Sequence, residues 1–250
     1  ELHSFLGSNR GIQLRSLIER MRRFIQKPVR YVGMSATLSR ESYADCKDFF
    51  RGDRETKVLL DRQKNALQKT IHYYWQESPT TESDMLDEIY ETSQKENMLI
   101  FPNSRKQVEK VAVGLKKRAA KHNSPVRYFA HHSSVEKDLR LEAEAFAKEG
   151  RMRFAIACTS TLELGIDIGS VDSVTQVEAP PSASTLAQRL GRSGRGESID
   201  PQTGERRRDP SILHLLTSHP WSLLQAIACL SLYQKETLDH TPSTKKPFDV

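Results

Sequence analysis

Short β-branched, apolar runs alternate along the chain with longer stretches in which apolar residues recur every three or four positions. The short runs predict strands at residues 29–34, 70–75, 97–101, 126–130, 153–157, 173–177 and 212–216. Between them, Val108, Val111, Ala112, Leu115 and Ala119 form one helical stripe, and Val135, Leu139, Ala143 and Phe146 form another. Strand and helix in regular alternation predict an α/β fold around a parallel sheet. Packing against that sheet explains both stripes without any cofactor.

Breaks in the pattern suggest the domain plan. A polar run, Asp61-Arg62-Gln63-Lys64-Asn65, follows the apolar Val58-Leu59-Leu60 and reads as an interdomain linker. The expected division is 1–64, 65–218, and a C-terminal helix with linker over 219–250. Charge, glycine and proline crowd into residues 196–210, a predicted solvent loop with Arg206, Arg207 and Arg208 at its tip. With 37% hydrophobic residues the chain can bury an ordinary core. Its 38 basic and 32 acidic residues leave a net charge of +6, a mild bias toward polyanions. Cys46, Cys158 and Cys229 have neither CxxC nor zinc-site spacing, and read as buried thiols in a reducing compartment. Glu1-Leu2-His3-Ser4 lacks the character of a signal peptide, and the apolar stretch 223–232 is too short to span a bilayer. A soluble, cytoplasmic protein is expected.

Two segments carry candidate chemistry. In Gln188-Arg189-Leu190-Gly191-Arg192-Ser193-Gly194-Arg195, the three arginines share roughly one face if helical. Their guanidinium forks suit a polyphosphate, and the two glycines let the backbone approach a ligand. An ordinary basic helix end is the plain alternative. Upstream, residues 157–167 run from a strand pattern into Thr159, Ser160 and Thr161, then Gly165 and Asp167. Hydroxyls and backbone N–H groups at the carboxyl end of a strand can hold phosphate. Asp167 could accept hydrogen bonds from a ribose. A simple helix cap is the plain alternative here.

The order of these segments resembles that of superfamily 2 helicases, most closely the Lhr-like group. Glu1-Leu2-His3 resembles the end of a DExH box, and Ser35-Ala36-Thr37 the SAT tripeptide of motif III. Residues 99–105 resemble motif IV, and His131-His132-Ser133-Ser134 the turn that follows it. Residues 159–167 resemble motif V and 188–195 motif VI, so the likeness covers roughly 1–218. Each tripeptide alone is weak; their order and spacing are specific. The resemblance implies a RecA-like parallel sheet flanked by helices, preceded by the C-terminal part of a first RecA-like domain. It also implies that the first domain's earlier half lies outside this sequence.

Further roles follow from the resemblance alone. Glu1 would polarise the attacking water, and His3 would link the nucleotide to the other domain. Ser35 and Thr37 would couple nucleotide state to domain closure. Gly165 and Asp167 would lie near the nucleotide sugar, and Gln188 near the phosphates. Arg192 and Arg195 would act as arginine fingers. Ser104, Arg105, His132, Thr159 and Ser160 would face one strand's phosphate backbone. The cofactors would be ATP and Mg²⁺ in the intact enzyme, with no metal held by this stretch. The partners would be the remainder of the helicase chain and single-stranded or partly duplex nucleic acid, with DNA favoured over RNA and no membrane. Ser133 departs from the glycine that many relatives carry there. Nothing matches the phosphate loop GxxxxGK[ST], so this stretch alone is expected to hydrolyse ATP negligibly. Two other classes stand beside a motor. One is a non-catalytic RecA-like module that lends Arg192 and Arg195 to a partner ATPase. The other is a Rossmann-type metabolic enzyme, for which a GxGxxG after a strand is missing.

Overall fold

A computed structural model describes residues 2–25, 27, 29–35, 38, 42–50, 56–59, 66–75, 80–163, 168–169, 171–199 and 206–238. It divides into two compact units, Glu1–Gln63 with Gln234–Val250, and Lys64–Tyr233.

The smaller unit holds helices α1 (Asn9–Phe24) and α2 (Tyr43–Phe49). Ser8 starts α1, its Oγ accepting the Gly11 N–H at 3.1 Å, and Arg22 and Arg23 complement the dipole at the far end. Leu2, Leu6, Cys46 and Phe49 make the core, with Leu14 and Ile18 packed against it. The strand expected at 29–34 is absent, although those residues are described. An extended segment becomes a strand only when another pairs with it, and the described residues of this unit supply none. Met34 O accepts the Leu2 N–H at 2.8 Å, while Val32 and Met34 are 77% and 76% exposed.

The larger unit is a six-stranded, wholly parallel sheet in the order β1-β8-β5-β2-β4-β3. Its strands are β1 (Leu67–Tyr73), β2 (Met98–Phe101), β3 (Arg127–His131), β4 (Phe154–Cys158), β5 (Ser173–Val177) and β8 (Ser211–Thr217). The central strands are buried on both faces, which is why they read as unbroken apolar runs. Alternate residues divide between the faces. Met98, Ile100, Ala155 and Ala157 meet α3 (Thr81–Ser93) and α4 (Arg105–His122) through Ile89, Val108, Ala112 and Leu115. Leu99, Phe101, Phe154, Ile156, Leu213 and Leu215 face the other side. There they pack with Ala147 of α5 (Lys137–Glu149), Leu186 and Leu190 of α6 (Ala183–Leu190), and Ala226 and Leu230 of α7 (Pro220–Gln234).

The α4 stripe lies where the periodicity put it. The second stripe is shifted: α5 begins only at Lys137, Leu139 is 53% exposed, and Ala143, Phe146 and Ala147 face inward. Phe146 sets this rotation by packing its ring 5.3 Å from that of Phe129 on β3. The expected loop at 196–210 contains a short antiparallel pair, β6 (Glu197–Ile199) and β7 (Arg206–Arg208). Glu197 stands opposite Arg208 in an exposed ladder that no hydrophobic alternation announces. Among the described residues no helix is long and apolar enough to cross a membrane.

Candidate functional site

Three neighbouring strands, β2, β4 and β3, end on one edge of the sheet, and the polar motifs gather there. After β2, Ser104 caps α4 by accepting the Gln107 N–H at 3.2 Å. Arg105 opens that helix, and its Nη1 donates to Ser134 Oγ at 2.9 Å in the turn after β3. After β4, Thr159 precedes a single 3₁₀ turn, Ser160–Leu162, with Ser160 exposed. Ser104 and Arg105 after β2, and Thr159 and Ser160 after β4, therefore stand at one edge of the sheet, with Ser134 after β3 bonded to Arg105.

The two histidines of the turn point inward. His131 is fully buried, with Nδ1 2.9 Å from Thr161 Oγ1 and Nε2 2.8 Å from Glu144 Oε1, so it ties the 159–163 segment to α5. His132 is 5% exposed; Nδ1 accepts the Ser134 N–H at 3.2 Å, and Nε2 lies 2.7 Å from Glu109 Oε1. Both of its ring nitrogens are thus engaged inside the protein, and the ring shapes the turn that Arg105 touches. Glu109 stands 23 residues from His132, a partnership that no local pattern signals.

Motif VI does not form one basic face. Helix α6 ends at Leu190, so the three arginines leave it in different directions. Arg189, 4% exposed, donates through Nε and Nη2 to Glu163 Oε1 at 2.8 and 2.6 Å, and through Nη1 to Gln176 Oε1 at 2.5 Å. Its guanidinium lies 4.8 Å from the centre of the Phe101 ring. Gln176 in turn donates to the Phe101 carbonyl at 3.2 Å, joining β5 to β2. Arg192, 6% exposed, donates from Nη2 to the Glu163 carbonyl at 2.6 Å. Arg195 is exposed, its Nε 2.9 Å from the Gly191 carbonyl. Gln188 lies on α6, partly exposed. Burial pushes the Cys158 thiol well above its usual range, so it is no nucleophile.

The glycines also serve a purpose other than the expected one. Gly194 has φ +67°, and a Cβ there would stand 2.8 Å from Asp209 O and from Ser211 N. It is needed for close approach to the protein's own backbone. Sequence reasoning missed Glu163, Gln176 and Glu109. Gln176 left a signal, since a polar residue inside a fully buried strand requires partners.

Glu1, Thr37, Gly165 and Asp167 lie outside the described residues, as does the His3 side chain. Ser35 is described, partly buried, in the smaller unit. Among the described residues no group of three His, Cys, Asp or Glu could hold a metal ion. Guanidinium groups are present for a polyphosphate; an acidic set for magnesium is not found among them.

Residues 81–197 match the helicase conserved C-terminal domain. ATP-dependent helicase Lhr-Core of Saccharolobus solfataricus is 37% identical over 207 residues, covering 78% of this chain and 23% of that protein. Lhr helicase/uracil glycosylase of Escherichia coli is 30% identical over 244 residues, 78% of this chain and 16% of that one. The chain thus spans about a quarter or less of the length of these relatives. Mycobacterium smegmatis helicase Lhr, solved bound to ssDNA and AMP-PNP, superposes with a TM-score of 0.84 at 27% identity, over all of this chain and 32% of that one. The helicase MrfA bound to DNA, 18% identical with a TM-score of 0.72 over 98% of this chain and 32% of its own, shares the fold. With the RecA-like sheet, the order of its motifs and these relatives in agreement, the chain carries a helicase conserved C-terminal domain and is a homologue of the Lhr-like helicases of superfamily 2.

Proposed function

We propose that the chain works within a longer ATP-dependent helicase or translocase, residues 65–218 being its second motor domain and 1–64 the end of its first. The observation that carries this reading is that Ser104 and Arg105 follow β2 while Thr159 and Ser160 follow its neighbour β4, so all four stand at the carboxyl ends of two adjacent strands, in the same unit as the motif VI arginines. Short hydroxyls, a guanidinium and a helix N-terminus are groups that track a phosphate backbone without reading bases. His132 then acts from inside, holding the turn against which Arg105 rests. DNA is favoured over RNA, since the Mycobacterium smegmatis relative was solved with ssDNA.

Arg195, exposed at the end of motif VI, is the side chain best able to reach a nucleotide, with Arg192 beside it. A guanidinium there stabilises charge that develops on the transferring phosphoryl group. ATP turnover further needs a phosphate loop, which this sequence lacks. The test is single-turnover hydrolysis and nucleotide affinity in the complete natural protein. Arg195→Ala should cut turnover at least about a hundredfold while ATP binding weakens modestly. Unimpaired turnover in that variant would remove Arg195 from the nucleotide site. It would favour the non-catalytic module instead.

A further inference from the structure

The Arg189–Glu163 ion pair takes no part in the contacts proposed above, yet it is among the most buried charged groups described. A buried ion pair stabilises a fold little better than apolar side chains of the same size; what it can supply is fixed geometry. The geometry here has two ends. The Glu163 carboxylate is held by two N–H groups of Arg189, whose guanidinium is itself fixed by Gln176 and lies over Phe101. The main-chain oxygen of the same residue accepts from Arg192 Nη2 at 2.6 Å. Glu163 also directly follows the 3₁₀ turn that begins at Ser160, so the chain leads from Thr159 and Ser160 into it without a break.

We infer that Glu163 is a positioning residue: clamped by Arg189, it fixes the carbonyl that aims Arg192, and so joins the nucleic-acid side of the site to its nucleotide side. The inference rests on the reading of Arg192 as a nucleotide-side group. An arginine has a long flexible side chain, and a single well-placed acceptor narrows the positions its guanidinium can take. Loosening residue 163 misplaces that guanidinium while leaving the phosphate contacts of Ser104 and Arg105 intact.

The test compares the complete natural protein with three variants: Arg192→Ala, the pair Glu163→Gln with Arg189→Met, and all three changes together. Removing both charges of the pair leaves neither buried alone, which protects the fold; thermal melting by circular dichroism verifies this. The paired variant should lose turnover on the order of a hundredfold, as a misplacement of about 1 Å can cause. KM for ATP and affinity for a single-stranded oligonucleotide should stay unchanged, and adding Arg192→Ala should cost nothing more. Arg189→Lys, which keeps the charge but loses the fork, should move turnover the same way and decides the matter if the paired variant melts early. Wild-type turnover in the paired variant or in Arg189→Lys, beside a loss in Arg192→Ala, overturns the positioning role alone. A loss in the triple variant that multiplies the two separate losses overturns it as well. Wild-type turnover in Arg192→Ala overturns both the positioning role and the reading of Arg192.

Discussion

Replacing Gly194 by alanine separates two accounts of the motif VI glycines. If they let a ligand approach, the substitution should impair nucleotide binding and leave the ligand-free protein intact. The geometry says otherwise. Gly194 sits at φ +67°, and a Cβ would stand 2.8 Å from Asp209 O, 2.8 Å from Ser211 N and 2.9 Å from Ser211 Oγ. These neighbours cannot easily move: Ser211 N donates to Ala66 O at 2.8 Å where β8 begins, and Asp209 N donates to Gly196 O at 2.9 Å. A left-handed backbone costs an L-residue roughly 1–2 kcal/mol, and overfilling a packed site adds about 1–3 kcal/mol. Gly194→Ala should therefore lose roughly 2–5 kcal/mol, or about 4–20 °C in Tm for a unit of this size. Gly191 is the control. Its φ of −63° suits alanine, and the nearest atom to a Cβ is 3.4 Å away. Gly191→Ala should be neutral or gain up to about 1 kcal/mol through the unfolded chain. Urea denaturation followed by far-UV circular dichroism, without nucleotide or nucleic acid, measures both. Equal stability of the two variants would refute the backbone-approach argument and return Gly194 to the ligand account.

Two further outcomes can be measured directly. Arg105→Ala should weaken single-strand binding about equally for all sequences and lower the salt slope by about one phosphate contact; a loss confined to one base context would mean that Arg105 reads a base edge. Glu96 accepts a hydrogen bond from His214 at 3.0 Å, which holds its carboxyl below its ordinary value of 4.5. A depressed carboxyl adds stability above that value and loses it as the pH falls through the folded one. Urea midpoints of Glu96→Gln should therefore fall less steeply below pH 4.5 than those of wild type, and parallel acid limbs would contradict the assignment.

Much of the larger unit is legible in one dimension because its determinants are local. Six of the seven predicted strands exist, displaced by at most a few residues, and for β2, β4 and β5 the reason is that burial on both faces writes itself as an apolar run. The strand at 29–34 fails for the opposite reason: pairing is a non-local property, and apolar composition cannot supply a partner. The hairpin of β6 and β7 fails in the other direction, pairing without apolar alternation.

The site divides along the same line. Sequence by itself determined which residue types meet at the carboxyl edge, because the loops that follow strands in a parallel sheet share one edge whatever the order of the strands. Spacing and composition could not tell the surroundings of Arg189, Arg192 and Arg195 apart, three copies of one side chain at even intervals. Only the tertiary structure did so, by ending α6 at Leu190 and bringing Glu163 in from 26 residues away. Burial with a carboxylate makes Arg189 internal, a carbonyl holds Arg192, and exposure leaves Arg195 at the surface. His132 follows the same rule, its ring consumed by Glu109 and by its own turn. A side chain's chemistry is set by its covalent identity, but its availability is set by which distant groups fold against it.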